Sequence, residues 1–203
     1  GRTVASALVE GLPEQGEPLG GLLDLLFDNA VPASFNSAGP GYLAYIPGGG
    51  VFPSAVADLI ANAVNRYVGV WVAAPALVQL ETNVVRWFCD IVEYPPGAGG
   101  ILTSGGSMAN FTAVVAARRE RLPEDFRSGT IYTSDQTHHS VRKAAVLAGF
   151  PESNVREIAT NDGCELSLNA LRQCVTEDRE AGLEPFLVVA SGGTTNTGAV
   201  DDL

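Results

Sequence analysis

The chain has 203 residues, of which 46% are hydrophobic and 17% charged, a balance typical of a folded protein. Its formal net charge of −11 would repel nucleic acid and anionic lipid, so we expect a small-molecule partner and neither a nucleic acid nor a membrane. No apolar run reaches the roughly 18 residues of a membrane span, and no basic leader with an apolar core is found, so the sequence predicts a cytoplasmic protein.

The first part of the chain predicts helices without a sheet. A short amphipathic segment spans Leu19 to Phe27. Apolar residues spaced three and four apart predict two longer helices, Ser54 to Val68 and Pro75 to Val92. A run rich in Pro and Gly, residues 95–100, then predicts a linker.

Strand-like and helix-like segments alternate after this linker. The predicted strands are Ile101 to Thr103, Thr130 to Thr133, Val155 to Ala159 and Phe186 to Ser191, and the predicted helices are Ser107 to Arg121, Ser140 to Ala148 and Ser167 to Glu180. Helical crossovers between short apolar strands predict an α/β fold with a mostly parallel sheet and flanking helices. We therefore expect an arm with helices over 1–96 and the first part of an α/β domain over 97–203.

Three polar loops each follow a predicted strand. They are Ser104 to Asn110, Ser134 to Ser140 and Gly192 to Gly198. Because parallel sheets bind ligands at the carboxyl ends of their strands, we expect the three loops to form one site.

The loop Ser104 to Asn110, called here the glycine loop, suits a phosphate. Gly105 and Gly106 would let the backbone turn sharply and approach a ligand closely. The first turn of the following helix would offer unpaired N–H groups and the positive end of its dipole. On the loop alone, an ordinary strand-to-helix turn with Ser107 as the N-cap remains the alternative.

The two histidines of the chain, His138 and His139, do not indicate a metal site. Adjacent side chains on a turn point in different directions, and no third ligand lies at a suitable spacing, so we predict no metal. The sequence also lacks a Gly-x-Ser-x-Gly elbow and a Gly-Lys-Ser or Gly-Lys-Thr phosphate loop, which argues against a serine hydrolase and a P-loop nucleotide site.

Five motifs, in this order, resemble the group II pyridoxal-phosphate-dependent decarboxylases, a family that includes aromatic-L-amino-acid, tyrosine, histidine and glutamate decarboxylases. The motifs are Tyr42-Leu43-Ala44-Tyr45-Ile46-Pro47, Trp71-Val72-Ala73-Ala74-Pro75-Ala76 with Leu80-Glu81-Thr82, Gly105-Gly106-Ser107-Met108-Ala109-Asn110, Ser134-Asp135-Gln136-Thr137-His138-His139-Ser140-Val141, and Ala190-Ser191-Gly192-Gly193-Thr194-Thr195-Asn196-Thr197-Gly198. The resemblance covers about Gly39 to Leu203. It implies the large domain of a PLP-dependent transferase of fold type I, aspartate aminotransferase-like, incomplete in this chain and preceded by an N-terminal helical arm.

The resemblance implies a cofactor, pyridoxal 5'-phosphate, and residues that hold it. Gly106, Ser107 and Met108 would bind its phosphate, through backbone N–H groups and the Ser107 hydroxyl. His138 would be catalytic: its ring would stack on the pyridine ring and lie near the substrate carboxylate.

Two further site residues follow from the same resemblance. Thr195 would place a hydroxyl near the ring oxygen of the cofactor, whereas Thr194 would serve the loop. Tyr45 would line the substrate pocket, with a buried structural tyrosine as the alternative. Gly48-Gly49-Gly50 departs from the family's usual polar residue after that tyrosine, so the pattern does not carry substrate contacts over to that loop.

The implied activity is decarboxylation of an L-amino acid to the amine and CO₂, with an aromatic or bulky side chain favoured, in a homodimer. The family's Schiff-base lysine and pyridine-nitrogen aspartate lie on segments that this sequence does not contain, and the single lysine, Lys143, does not match the lysine motif. We therefore expect the remainder of the enzyme to come from a missing C-terminal segment or a companion chain. The alternatives are an aldehyde-forming enzyme of the same family and a non-catalytic module that binds a phosphorylated ligand.

Overall fold

The structure, a computed structural model, describes residues 2–9, 11–45 and 48–202. The chain divides into two compact units, Gly1–Asn65 and Arg66–Leu203. The boundary expected at 96/97 lies inside the second unit, and the division into arm and α/β domain stays a prediction.

The first unit is helical. Its helices are α1 (Arg2–Ala7), α2 (Leu19–Asp24), which continues as a π-helical segment (Leu25–Ala30), and α3 (Phe52–Val64). The predicted helix from Ser54 to Val68 therefore begins and ends earlier. Asn65 ends α3 in a left-handed conformation with φ of 39°.

The second unit contains a three-stranded parallel sheet in the order β2, β1, β3. Its strands are β1 (Gly129–Ser134), β2 (Val155–Ile158) and β3 (Glu184–Val188), and its helices are α4 (Pro75–Ile91), α5 (Gly106–Arg121), α6 (Ser140–Leu147) and α7 (Leu168–Glu180), with 3-10 turns at Trp71–Ala73 and Glu152–Asn154. The predicted parallel sheet is therefore confirmed, with element ends that differ from the predicted ones by at most three residues.

The prediction of a strand from Ile101 to Thr103 is wrong. The backbone N–H of Leu102 donates to Glu81 Oε1 of α4 at 3.4 Å instead of to a neighbouring strand. Ile101 and Leu102 are 67% and 57% exposed, so the apolar run that suggested a strand is not buried in the described residues. The glycine loop thus follows a segment without regular secondary structure that is hydrogen-bonded to α4.

The two faces of β1 pack against different helices. Ile131 belongs to a core cluster with Val114 of α5 and Ala145 of α6. Tyr132, the next residue, points to the opposite face and packs with Leu171 of α7. The unit is therefore a layered α/β structure with β1 at its centre.

A buried polar network fastens α7 to the sheet. Asp178 of α7 accepts hydrogen bonds from Arg156 Nε and Nη2, at 3.0 and 2.5 Å, and from the Tyr132 hydroxyl at 2.7 Å. Thr130 Oγ1 lies 2.9 Å from the same hydroxyl. The hydrogen bond from Arg156 lowers the pKa of Asp178, and burial raises the pKa of Tyr132, so the network holds one carboxylate, one guanidinium and a neutral phenol.

Candidate functional site

The glycine loop leads into α5 with two backbone donors unpaired. Gly105 precedes the helix with φ of 158° and ψ of 172°, and its carbonyl accepts from the N–H groups of Met108 and Ala109, each at 3.1 Å. The N–H groups of Gly106 and Ser107 have no partner within the described ranges. The positive end of α5 therefore presents two free donors in its first turn.

The surroundings of this helix end fit a phosphate. Ser107 is not the N-cap: it is the second residue of α5, its side chain is exposed, and its hydroxyl makes no hydrogen bond to any described residue. A Cβ built on Gly105 or Gly106 would meet nothing within 4 Å, so internal packing does not require either glycine. The start of α5 thus combines open space, two unpaired backbone N–H groups and the Ser107 hydroxyl. The Met108 N–H is occupied by the Gly105 carbonyl, and its predicted phosphate contact stays a prediction.

A hydrogen-bond chain joins the glycine loop to His138. Asn110 Nδ2 lies 2.8 Å from Ser140 Oγ, and Ser140 Oγ lies 2.8 Å from His138 Nδ1. The backbone N–H of Ser140 also donates to His138 Nδ1, at 3.3 Å. Ser140 is 3% exposed, whereas the His138 side chain is exposed. We call Asn110, Ser140 and His138 the histidine network.

His139 stands beside His138 without joining this network. The ring centroids of the two residues are 4.2 Å apart. Positive charge on His138, and to a smaller extent on Lys143, lowers the pKa of His139. The exposed His139 ring has no hydrogen-bond partner among the described residues, which distinguishes it from the anchored His138.

The loop after β1 is anchored by Asp135, which the sequence reasoning passed over. Its two carboxylate oxygens accept from the Thr160 N–H at 3.3 Å and the Thr160 hydroxyl at 3.0 Å. Burial opposes ionisation of Asp135, but the hydrogen bonds from Gln136 and Thr160 outweigh it and lower its pKa. This anchor holds the start of the segment that carries His138.

The loop after β3 is closed by Asp201. The Asp201 carboxylate accepts from the backbone N–H of Leu166 and of Ser191, each at 2.7 Å. Thr194 is buried and its hydroxyl lies 2.6 Å from that of Thr197, whereas Thr195 is partly exposed.

The structure brings some of the predicted site residues together and leaves others apart. It joins the glycine loop and His138 through Asn110 and Ser140. Thr195 follows β3, the neighbour of β1, at the same carboxyl edge of the sheet, but within the described ranges no hydrogen bond links it to Ser107 or His138.

Tyr45 belongs to the first unit, Gly1–Asn65. Its φ is 61° and its side chain is 72% exposed, so it is not a buried structural tyrosine in the described part of the chain. Ile46 and Pro47 of the same motif lie outside the described residues. The predicted role of Tyr45 in a substrate pocket stays a prediction.

Ser140 and Asn110 were missed because their signal is weak in sequence. Each looks like an ordinary polar residue near a helix start, and their pairing spans 30 positions. In the described ranges no group of three or more His, Cys, Asp or Glu side chains could hold a metal ion. Likewise, none of the described helices combines the length and apolar character needed to cross a membrane.

The second unit belongs to the α/β class, in which parallel sheets bind ligands at the carboxyl ends of their strands and unpaired helix N-termini suit anions. The model of the pyridoxal-dependent decarboxylase conserved domain matches residues 6–203, and the chain belongs to this family.

Relatives of known name agree. An aromatic-L-amino-acid decarboxylase of Bacillus atrophaeus is 37% identical over 196 residues, covering 97% of this chain and 41% of that protein. A phenylacetaldehyde synthase of Petunia hybrida is 31% identical over 208 residues, again covering 97% and 41%. The crystal structure of Oryza sativa TDC with PLP and tryptamine matches with a TM-score of 0.87 at 29% identity, covering 98% of this chain and 44% of that one.

The predicted resemblance to group II pyridoxal-phosphate-dependent decarboxylases is therefore confirmed, as is the fold type I large domain. Pyridoxal phosphate is confirmed as the cofactor of the family. The chain spans about 41% of the length of the first curated relatives it matches.

Proposed function

We propose that this chain is part of an enzyme that decarboxylates an L-amino acid with pyridoxal 5'-phosphate, with an aromatic or bulky side chain favoured. In this proposal it supplies the phosphate-binding loop and the ring-stacking His138. The Schiff-base lysine lies outside the 203 residues. Curated relatives named for aromatic-L-amino-acid and tyrosine decarboxylation support the choice of reaction and of substrate class.

One observation carries the proposal: the free donors of α5 and His138 belong to one connected site. The unpaired N–H groups of Gly106 and Ser107 lie in the first turn of α5, and Asn110, one turn after Gly106 on the same helix, is linked through Ser140 to His138. A phosphorylated ring bound at the start of α5 would therefore lie next to an imidazole whose position is set by the same helix.

The residues present fit the roles that the reaction requires. The two N–H groups and the Ser107 hydroxyl would bind the phosphate, and the dipole of α5 favours its negative charge. When bound, pyridoxal phosphate supplies an electron sink for the electron pair that CO₂ leaves behind. His138 would hold the ring flat and donate to an acceptor on the substrate, while Thr195 would place a hydroxyl at the ring oxygen.

A hydride-trapping experiment tests the reaction class. The full-length protein that carries this sequence is loaded with pyridoxal phosphate, reduced with borohydride and mapped by peptide mass spectrometry. We expect a visible absorption band before reduction and the adduct on a lysine outside these 203 residues. Because Lys143 is the one lysine in the sequence, an adduct there, or no reducible adduct at all, would contradict the proposal.

A matched pair of variants tests the phosphate site. Ser107→Ala removes a hydroxyl from the proposed phosphate contact, so we expect pyridoxal phosphate to bind about tenfold more weakly, the effect of one hydrogen bond to a charged group. Ser104→Ala, which removes an exposed hydroxyl at the start of the same loop, is the control and should change affinity less than twofold. Equal losses in the two variants would argue against a phosphate at Ser107.

A second candidate is an aldehyde-forming enzyme of the same family. Relatives named phenylacetaldehyde synthase and 4-hydroxyphenylacetaldehyde synthase, at 31% and 30% identity, support it. Incubation of the full-length enzyme with L-phenylalanine, L-tyrosine and L-tryptophan separates the two, because the decarboxylase releases the amine whereas the synthase releases the aldehyde. Binding of the cofactor with neither product would favour the non-catalytic module.

A cytoplasmic homodimer remains part of the proposal. The family resemblance supports the dimer, as do the large apolar side chains of α4 that are exposed in the described chain, Trp87, Phe88 and Ile91. Light scattering of the full-length protein should give twice the mass of its chain, and a monomer at micromolar concentration would contradict it. Cell fractionation tests the location.

A further inference from the structure

We propose that Asn110 and Ser140 are positioning residues that hold His138 as the neutral Nε2–H tautomer, so that its exposed edge presents a proton donor instead of a base. The inference rests on the proposed function for its purpose. Its evidence is the hydrogen-bond geometry of the histidine network alone.

The backbone sets the direction of the first hydrogen bond. The Ser140 N–H lies 3.3 Å from His138 Nδ1 and can only donate. This contact therefore favours Nδ1 as the unprotonated nitrogen of the ring. In a neutral imidazole the proton then lies on Nε2, which has no partner among the described residues.

The remaining protons follow from this first hydrogen bond. With Nδ1 as an acceptor, the Ser140 hydroxyl at 2.8 Å must donate to it, and a hydroxyl has one proton to give. Ser140 Oγ is then left as an acceptor for the neighbour on α5. Asn110 must turn its Nδ2 group to that oxygen, as the 2.8 Å contact has it. Every donor in the network thus points toward Nδ1.

Burial of Ser140 favours this direction of the hydrogen bonds. Ser140 is 3% exposed, so water does not compete freely for its hydroxyl. If the direction were reversed, a protonated Nδ1 would face the Ser140 backbone N–H, and two donors would lie against each other. The backbone N–H of Ser140 distinguishes the two directions, and the amide of Asn110 supports the favoured one by donating to Ser140 Oγ, which a carboxylate could not do.

The consequence for a ligand is a fixed donor. Nε2–H would serve an anionic or carbonyl oxygen, such as the carboxylate of an amino acid, and could not remove a proton from it. Because Asn110 lies on α5, one turn after Gly106, a phosphate bound at the start of this helix and the donor edge of His138 share one support.

The test reads the tautomer directly. The 203 residues hold two histidines, and in full-length protein labelled with nitrogen-15 histidine their imidazole patterns are assigned from the signals lost in His138→Gln and His139→Gln, with His139 as an internal reference. Long-range proton–nitrogen correlation at about pH 8, where imidazole side chains are ordinarily neutral, distinguishes protonated from unprotonated ring nitrogens. In the full-length wild-type protein we expect an unprotonated Nδ1 on His138, and a proton on that nitrogen would overturn the proposal without any substitution.

The variant Asn110→Asp is designed to reverse the hydrogen bond between residue 110 and the Ser140 hydroxyl. The introduced carboxylate can only accept, so it takes the proton of the Ser140 hydroxyl, and Ser140 Oγ at 2.8 Å then faces Nδ1 as an acceptor nearer than the backbone N–H at 3.3 Å. We expect the major form of His138 to carry a proton on Nδ1, and kcat to fall at least tenfold. Asn169→Asp, the same change at an exposed position on α7, should leave His138 and kcat unchanged.

The double variant Asn110→Asp with Ser140→Ala separates transmission through the hydroxyl from a direct effect of charge. Without the hydroxyl, no acceptor is left at 2.8 Å and the Ser140 backbone N–H alone faces Nδ1, so Nδ1 should again be unprotonated. A proton on Nδ1 in both the single and the double variant, or in neither, would overturn the proposal. The readout needs no cofactor and no turnover, so loss of the proposed activity and loss of this network are distinguishable.

Discussion

Two polar networks in the second unit use similar side chains for different purposes. The buried network joins Arg156 and Asp178, with Asp178 5% exposed, and satisfies the polar atoms of three elements of the fold. The histidine network starts from a buried serine but ends on an exposed imidazole whose second nitrogen has no partner in the described chain. In the first network the members bond to one another, whereas in the second the proposed Nε2–H donor of His138 is left without a partner among the described residues.

Burial decides whether a polar network mainly stabilises the fold or mainly orients an exposed group. A closed, charged and buried network loses much when one member is removed, because its partner stays buried without compensation. An open network at a sheet edge loses little stability, because water can replace what is missing, but it loses the orientation of the open group.

The largest effect is expected from Asp178→Ala. It leaves Arg156 and the Tyr132 hydroxyl without their carboxylate, and we expect the free energy of unfolding to fall by about 3 kcal/mol, as for other broken buried pairs. Urea denaturation measures the loss. Glu180→Ala, an exposed change on the same helix, should cost less than about 0.5 kcal/mol. Similar losses for both variants would show that the network does not stabilise the fold.

The difference in unfolding free energy between the wild type and a second variant, Asp178→Asn, should depend on pH. The hydrogen bond from Arg156 lowers the pKa of Asp178 below its ordinary value of 3.8, so the folded state binds its proton more weakly than the unfolded state. The resulting stabilisation is complete above the unfolded-state pKa and is lost as the pH falls through the lower folded-state pKa. The gap between wild type and Asp178→Asn should therefore narrow below about pH 4. A gap that widens with acid would contradict this sign.

Adjacent glycines of the glycine loop should separate stability from binding. Gly105→Ala places a side chain at φ of 158°, and we expect a cost of about 1 kcal/mol in unfolding free energy. Gly106→Ala, in the first turn of α5, should not destabilise the fold but should weaken pyridoxal phosphate binding, because the new methyl group enters open space beside the free donors. Full affinity in Gly106→Ala would place the phosphate elsewhere.

The smallest effect is expected from His138→Gln. Positive charge on His138 is the first cause of the lowered pKa of His139, so its removal should raise that pKa toward the ordinary 6.5. Proton NMR titration of His139 measures the change. Lys143→Gln, which removes the second cause, should raise the pKa less. The reverse ranking would show that the two rings are not neighbours in solution.

Local patterns in the sequence were sufficient for most of the second unit. The spacing of apolar residues predicts α5, α6 and α7 almost to the residue, because a helix repeats every 3.6 residues regardless of its partners. The same reasoning failed for Ile101 to Thr103. A short apolar run is compatible with a strand, but a strand needs a neighbour, and Leu102 instead donates to Glu81.

By itself the sequence determined the alternation of strands and helices, the parallel sheet and the loops that carry Ser107 and His138, because these depend on residues close together in the chain. Only the tertiary structure decided that Asn110 meets Ser140 across 30 positions and that Asp178 meets Tyr132 across 46. Such pairs form between side chains whose individual types are common and whose spacing has no period. The direction of each hydrogen bond, and with it the proton on His138, depends on that contact.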